Sequence, residues 1–315
     1  MIVTVTANPS VDRTVELPGP LTRGEVLRAR SVRSQPGGKG INVARAIAEA
    51  GLPTLALLPA APGDRLLKQL DSAGLPYRSV VIDDDVRVNL TLAEPDGTTT
   101  KINEAGAELS PTALAHLTDL IVDCSAGASW VVLSGSLPPG VPADWYVGVT
   151  VRLHAAGLKV AVDTSGSPLL AIPGVRPDLL KPNAFELAEL TGGDGAMLEA
   201  AADAGDLAPA ATAAASLAER TGGTVLTTLG GAGALLTVGA DTWFATPPPV
   251  RVRSTVGAGD ASLAGYLIAQ QRGSAPAKCL RTAVAYGSAA AALPGTTPPT
   301  PKQLDLAGVA VRQLS

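Results

Sequence analysis

Two glycine-rich segments place chemistry-bearing side chains where a helix should begin. The first, Pro36-Gly37-Gly38-Lys39-Gly40-Ile41-Asn42-Val43-Ala44, sets a lysine among three glycines and follows it with an asparagine. Glycines let the backbone come close to a ligand, and a helix N-terminus offers free N–H groups and a dipole that favours anions. The second, Ser254-Thr255-Val256-Gly257-Ala258-Gly259-Asp260, is built of small residues and ends on a carboxylate. Successive N–H groups of such residues form an anion nest. A carboxylate beside the nest suits phosphoryl transfer. Asp260 would be the base at an attacking hydroxyl, with the N–H groups of Gly257, Ala258 and Gly259 around the transferred group. Plainer readings exist for both segments: a strand-to-helix turn that needs glycines, and an aspartate that caps its helix. The first segment is not a Walker A loop, because Gly40 rather than Ser or Thr follows Lys39.

The elements that must position these groups follow from residue pattern. Residues 2–7 (IVTVTA) read as a buried strand that ends at the turn Asn8-Pro9. Residues 13–17 and 26–33 read as weaker strands with exposed arginines. Ile41, Ala44, Ile47 and Ala48 fall on one helical face, and Gly51 closes that helix. A strand at 54–59 and a helix at 63–74 come next. Residues 87–93 and 98–103 alternate around Pro95-Asp96-Gly97, a hairpin signal. Helix and strand then alternate: helix near 111–123, strand 129–134, helix 142–156, strand 158–163 and strand near 178–181. Helices run to about 221, with the Ala-rich stretch 196–218 broken by a loop near Pro209. A strand at 224–229, a hairpin over 232–246 and helices at 258–272 and 276–292 finish the chain. This rhythm predicts an α/β fold: a mostly parallel sheet with helices on both faces, and a small second sheet from the strands that break the rhythm.

Composition narrows the partners. Of 315 residues 46% are hydrophobic and 17% charged, which excludes a mostly disordered chain. A formal charge of −4 argues against a nucleic-acid clamp or a polybasic membrane binder. His116 and His154 are the only histidines, too few for a His-rich metal site. Cys124 and Cys279 form neither a CxxC pair nor a zinc spacing, so a reducing cytoplasm is the expected compartment. The uncharged run 221–240 carries six glycines and reads as two strands around a turn rather than a membrane span. The N-terminus lacks the pattern of a signal peptide, and the mature chain is read as starting at Met1.

Together, in this order and about 220 residues apart, the two glycine segments resemble the two signatures of the PfkB (ribokinase-like) sugar kinases. The resemblance runs from residue 2 to about residue 295. It implies an ATP-dependent kinase acting on a small sugar or related alcohol. The implied fold is one ribokinase-like three-layer domain over residues 1–315, with a β lid built from about 12–35 and 86–104. Further segments are similar to the phosphofructokinase branch: Asn8-Pro9 with Asp12, the stretch Arg87-Val88-Asn89 through Thr100-Lys101-Ile102-Asn103, Ser134 to Gly140, and Asp163 to Gly166. Lys181-Pro182-Asn183 with Glu186 resembles the Asn-x-x-Glu element tied to Mg²⁺ and phosphates. Leu229-Gly230-Gly231-Ala232-Gly233, entered from Thr228, resembles the nucleotide loop. Ser254 stands where many family members carry an acidic residue.

The resemblance implies γ-phosphoryl transfer from ATP to a phosphorylated ketohexose, with fructose 1-phosphate giving fructose 1,6-bisphosphate. Fructose 6-phosphate and tagatose 6-phosphate are the alternative acceptors. Asp12, Gly37, Gly38, Asn42 and Asn103 are then expected at the sugar. Lys39, Arg28, Arg87 and Ser136 are expected at its phosphate. Lys181, Asn183, Glu186, Thr228, Gly230, Gly231, Gly233 and Gly259 are expected at the nucleotide, with Asn183 and Glu186 acting through Mg²⁺. K⁺ is a further implied cofactor. The expected partners are ATP, a phosphosugar and a second copy docked through the lid, with no nucleic acid or membrane. Two rivals come from other classes. A sugar-phosphate-binding regulator without catalysis would not need the intact Asp260 beside its glycines. A Rossmann dehydrogenase needs GxGxxG after the first strand, which here ends in Asn8-Pro9.

Overall fold

The computed structural model describes residues 1–314. The chain opens with β1 (Ile2–Val5), β2 (Ser10–Glu16), β3 (Ser31–Gly37), α1 (Lys39–Glu49), β4 (Thr54–Ala60), α2 (Arg65–Ser72) and β5 (Tyr77–Val81). The hairpin β6 (Arg87–Ala93) and β7 (Thr99–Asn103) precedes α3 (Pro111–Cys124), β8 (Trp130–Ser134), α4 (Trp145–Ala155), β9 (Val160–Asp163) and α5 (Ser167–Ala171). Next come β10 (Leu179–Leu180), α6 (Ala184–Thr191), α7 (Gly195–Asp203), α8 (Ala208–Thr221), β11 (Thr224–Thr228), β12 (Ala234–Val238) and β13 (Asp241–Thr246). Helices α9 (Ala258–Gln271) and α10 (Pro276–Ala291) and strand β14 (Ala310–Gln313) complete it.

Ten strands form the central sheet in the order β14-β13-β12-β11-β10-β9-β8-β1-β4-β5. The pairs from β5 to β11 are parallel, and the three pairs from β11 to β14 are antiparallel. Parallel strands are buried on both faces, which is why runs such as VVL and VAV lack alternation. One face packs on α3, α4, α6, α7 and α8 through Leu117, Tyr146, Val149, Leu187 and Leu217. The other packs on α1, α9 and α10 through Val43, Ile47, Leu263, Leu267 and Leu280. Residues Asp260 to Ala269 of α9 are all buried, ten in succession, so this helix is enclosed on every side.

A separate sheet of four strands runs in the order β3-β2-β6-β7. Register sets Gln35 opposite Asp12, Asp12 opposite Asn89, and Asn89 opposite Asn103, one polar row across the sheet. Because side chains alternate along a strand, the opposite face carries Val15, Val32, Leu90, Leu92 and Ile102.

Four sequence expectations need correction. The strand expected at 26–33 starts only at Ser31, and residues 17–30 form an irregular segment on which Arg28 is exposed. β5 and β14 were not foreseen; β14 is a short, mostly exposed edge strand without an apolar period. Pro209 lies in the first turn of α8, where its missing N–H costs no hydrogen bond, rather than in a loop.

Candidate active site

The site lies where the parallel strands end, the usual place for ligands in such sheets. Gly38 caps α1 with φ 106°, a conformation that favours glycine. Gly40 in the first turn is packed so closely that a Cβ would lie 2.5 Å from both Thr6 Oγ1 and Val5 O. These contacts seat α1 on β1 and carry Lys39 and Asn42 to the end of the sheet. The place a Cβ on Gly37 would take is filled by the Asp12 carboxylate. Asp12 is held there by Ser10 Oγ, which donates at 2.8 Å, and by Asn89 Nδ2 at 3.0 Å.

Gly257 caps α9 with φ 80° and makes no side-chain cap, so Asp260, in the first turn, is not a capping residue. No hydrogen bond among the described residues engages the N–H groups of Gly257, Gly259 or Asp260. The Ala258 N–H, expected to face a phosphoryl group, instead donates to Thr255 O at 3.3 Å. Asn42 Nδ2 donates to Asp260 Oδ2 at 2.8 Å. Burial, with the nearby charge of Asp163, pushes the Asp260 carboxyl up to about 6, against Lys39, the Asn42 amide and Lys181.

Asp163 ends β9 fully buried and meets two ammonium groups, Lys39 Nζ at 2.8 Å and Lys181 Nζ at 3.1 Å. Burial alone would raise its carboxyl, but Lys181 and Lys39 outweigh burial and hold it below the usual range. Burial also works against the charge on Lys39, which Asp163 and then Asp260 restore and raise above its ordinary value. Asn183 and Glu186 form a reciprocal cap on α6. Glu186 N–H donates to Asn183 Oδ1 at 2.9 Å, and Asn183 N–H donates to Glu186 Oε2 at 2.9 Å. Asn183 therefore stands just outside the helix, as its N-cap.

These groups surround one cavity of about 380 Å³. Of the residues singled out from sequence, Gly38, Lys39, Asn42, Arg87, Lys181, Asn183, Glu186, Thr228, Gly257, Gly259 and Asp260 line it. Asp12 and Gly37 lie behind that wall, in contact with each other and, through Asn89, with the cavity. Ser136 accepts from Asn8 Nδ2 at 3.4 Å, and Asn8 O accepts from Arg87 Nη2 at 3.3 Å, so these three residues form one chain. Arg28, Asn103, Gly230, Gly231 and Gly233 do not line the cavity. Gly233 has a packing reason to be glycine, since a Cβ there would strike Ala245 O. The structure adds Asn89, Asp163 and Val256 to the lining. Asp163 had a signal in the sequence: a charged residue directly after the apolar run VAV, at the end of a parallel strand. Around the cavity Asn42 Oδ1, Arg87 Nε and Asn89 Oδ1 are buried without a partner. Buried polar atoms normally find partners, so these mark where polar groups of a ligand would sit.

Comparison with known proteins bears on family and fold. The family model described as pfkB family carbohydrate kinase matches residues 5–303. The chain is 34% identical over 310 residues to the 1-phosphofructokinase of Rhodobacter capsulatus, covering 96% of this chain and 94% of that one. It is 33% identical over 301 residues to the ATP-dependent 6-phosphofructokinase isozyme 2 of Escherichia coli (strain K12), covering 94% of each. A crystal structure of phosphofructokinase-2 from Escherichia coli in complex with substrates and products superposes with a TM-score of 0.86 at 30% identity, over 96% of each chain. A ribokinase-like core with its separate small sheet, two glycine-framed helix starts and a family match over nearly the whole length lead to one assignment: the chain belongs to the pfkB family of carbohydrate kinases.

Proposed function

We propose that this kinase transfers the γ-phosphoryl group of ATP to a hydroxyl of fructose 1-phosphate. The observation that carries the reading is Asp260: a buried carboxylate with its titration near neutrality, beside unengaged N–H groups at the start of α9, facing a polar cavity. A base works best with a pKa near the working pH. Asp260 takes the proton of the attacking hydroxyl. The N–H groups of Gly257, Gly259 and Asp260 stabilise the charge on the transferring group. Asp12, Asn89 and Asn42 orient the sugar, and Lys39 and Lys181 face the phosphates from beside Asp163.

The acceptor's own phosphate is supported by Arg87. Its head is half-buried, its two terminal nitrogens donate to Glu104 O and Asn8 O, and its Nε is left without a partner. Charge-assisted bonds to phosphate are the strong use of such a group. Arg28 is exposed and does not support this role within one chain.

No group of three or more His, Cys, Asp or Glu among the described residues could cage a metal. One oxygen of Glu186 remains outside the α6 cap, which suits a hydrated Mg²⁺ held through water and phosphate oxygens. Such an ion would neutralise charge on the triphosphate. K⁺ belongs to the same reading, and the buried Thr296 Oγ1, which has no partner, is an oxygen available to such an ion.

In the same proposal the whole chain is one domain and the small sheet is a lid that excludes water on closing. Its outer face, with Val32 47% and Ile102 54% exposed, docks on a second copy. No helix among the described residues is long and apolar enough to cross a membrane, and both cysteines are free, in keeping with a cytoplasmic enzyme. Light scattering tests the dimer.

Kinetics with ATP, Mg²⁺ and fructose, fructose 1-phosphate, fructose 6-phosphate or tagatose 6-phosphate test the substrate. Fructose 1-phosphate should have the highest kcat/KM. A lead for fructose 6-phosphate, the acceptor suggested by the Escherichia coli isozyme's name, overturns the choice of carbon. A lead for free fructose overturns the phosphosugar. Arg87→Ala should weaken phosphosugar binding by about 1.5–3 kcal/mol and leave the KM for ATP unchanged.

A further inference from the structure

Gln35 bridges the small sheet and the loop that follows α10. Its Nε2 donates to Thr297 Oγ1 at 3.1 Å, and its Oε1 accepts the Thr296 N–H at 3.3 Å. Thr297 Oγ1 spends its own proton on Pro294 O at 2.8 Å, so it can only accept from Gln35. Both ends of the amide are thus fixed in one sense. Gly295 leaves room for it: with φ 60°, a Cβ there would lie 2.7 Å from Gln35 Oε1.

Each end of this bridge leads to the site. On the sheet side Gln35 heads the cross-strand row that continues through Asp12 and Asn89. On the loop side Thr296 lies beside Gly257, the cap of α9: the two line one small gap, and a methyl group added at Gly257 would come to 3.7 Å from Thr296 Cγ2. Arg45 of α1 secures the same loop, donating to Thr296 O at 3.0 Å and to Pro36 O at 3.4 Å. One short path therefore joins the residues proposed for the sugar to the helix start proposed for the phosphoryl group. A second link, the Asn42–Asp260 hydrogen bond, joins α1 to the same helix start, so Gln35 and Thr296 supply the path that begins in the small sheet.

We propose that Gln35 is a positioning residue that couples the two halves of the site, so that phosphosugar and ATP strengthen each other's binding. The inference rests on the substrate reading above. A sugar that fixes Asp12 and Asn89 also fixes β3, and through Gln35 the loop against Gly257. The N–H groups of Gly257 and Gly259 are then already in place when the nucleotide arrives. Such coupling is reciprocal: ATP must strengthen sugar binding by the same factor.

The test measures the Kd of the β,γ-imido analogue of ATP by calorimetry, with and without saturating phosphosugar, taking the best substrate of the kinetic panel. The ratio of the two Kd values in the parent enzyme should fall in the range of roughly 5–150 typical of coupled sites. Gln35→Ala should lower that ratio severalfold while leaving the Kd without sugar unchanged. Thr297→Val, which removes the acceptor from the loop side, should do the same. The β2–β3 ladder is backbone, so both variants should stay folded, with a cooperative thermal transition lowered by only a few degrees for the lost side-chain bonds. A parent ratio of one, or variants that keep the parent ratio, overturns the inference. Failure of the parent to phosphorylate any phosphosugar overturns the substrate reading instead, so the two failures are distinct.

Discussion

Asn42 Nδ2 donates to Asp260 Oδ2 across 2.8 Å, joining the first turns of α1 and α9 although 218 positions separate the two residues. The bond fixes one carboxylate oxygen and leaves Oδ1 for the cavity. It also explains why both glycine segments are needed at one site. Each lets a helix start close enough to the sheet for the two side chains to meet.

Asp260→Asn should cut kcat by about 10²–10⁴-fold, the usual contribution of a positioned base, with ATP binding retained. In the parent enzyme the base must be ionised. Since its carboxyl sits at about 6, kcat/KM should rise with pH through that value and level off above it. A variant that keeps a tenth of the parent kcat, or a flat acid limb, counts against Asp260 as the base.

The same substitution should stabilise the fold. A carboxyl raised from 3.8 to about 6 on folding is one that the folded chain prefers to hold protonated. Its contribution is fully present below pH 3.8 and is lost as pH rises through about 6. Asp260→Asn escapes that loss. It should therefore gain up to about 3 kcal/mol over the parent above pH 7, with the gap closing towards pH 4. Urea unfolding at both pH values reads the difference.

Asp163→Asn should act in the opposite sense. Its carboxyl is held below the ordinary value by Lys181 and Lys39 against burial, so its stabilisation is present above pH 4 and fades in acid. Removing the charge leaves Lys181, 4% exposed, without its counter-charge. A loss of about 3–5 kcal/mol is expected at pH 7. Adding Lys181→Met should recover part of the stability but none of the activity, which separates the fold's need for the pair from the reaction's.

Gly37→Ala should damage sugar binding more than nucleotide binding. The new methyl group meets the Asp12 carboxylate and must push it from Ser10 and Asn89. A displacement of this kind can cost on the order of 10²-fold in kcat/KM. The KM for ATP should stay within error, and a parallel rise in both KM values would argue for general distortion of α1.

The central fold was legible because parallel strands between helices write uninterrupted apolar runs, as in β1, β8 and β9. β14 was not, because its Ala310-Val311-Arg312-Gln313 is an edge strand whose partner, β13, lies more than 60 residues earlier. Asp260, Asn42 and Lys39 were legible because glycines mark close approach. Asp163 was noticed within Asp163 to Gly166 but given no role in the site, because nothing in the sequence shows that it meets Lys39 and Lys181. Arg28 was misplaced for the reverse reason: a charged residue read on a strand gives no sign of whether that strand exists.

Helix α9 carries the proposed base at its start and is enclosed over the ten residues that begin with it. Beyond the unengaged N–H groups of its first turn, its amide hydrogens should exchange with solvent only when the whole molecule unfolds. Those of the small sheet, joined to the body by loops and a few side chains, should exchange through local opening at far lower free energy. The enzyme would then divide its work by rigidity: the base is held by the slowest-exchanging segment, and the gate belongs to the fastest.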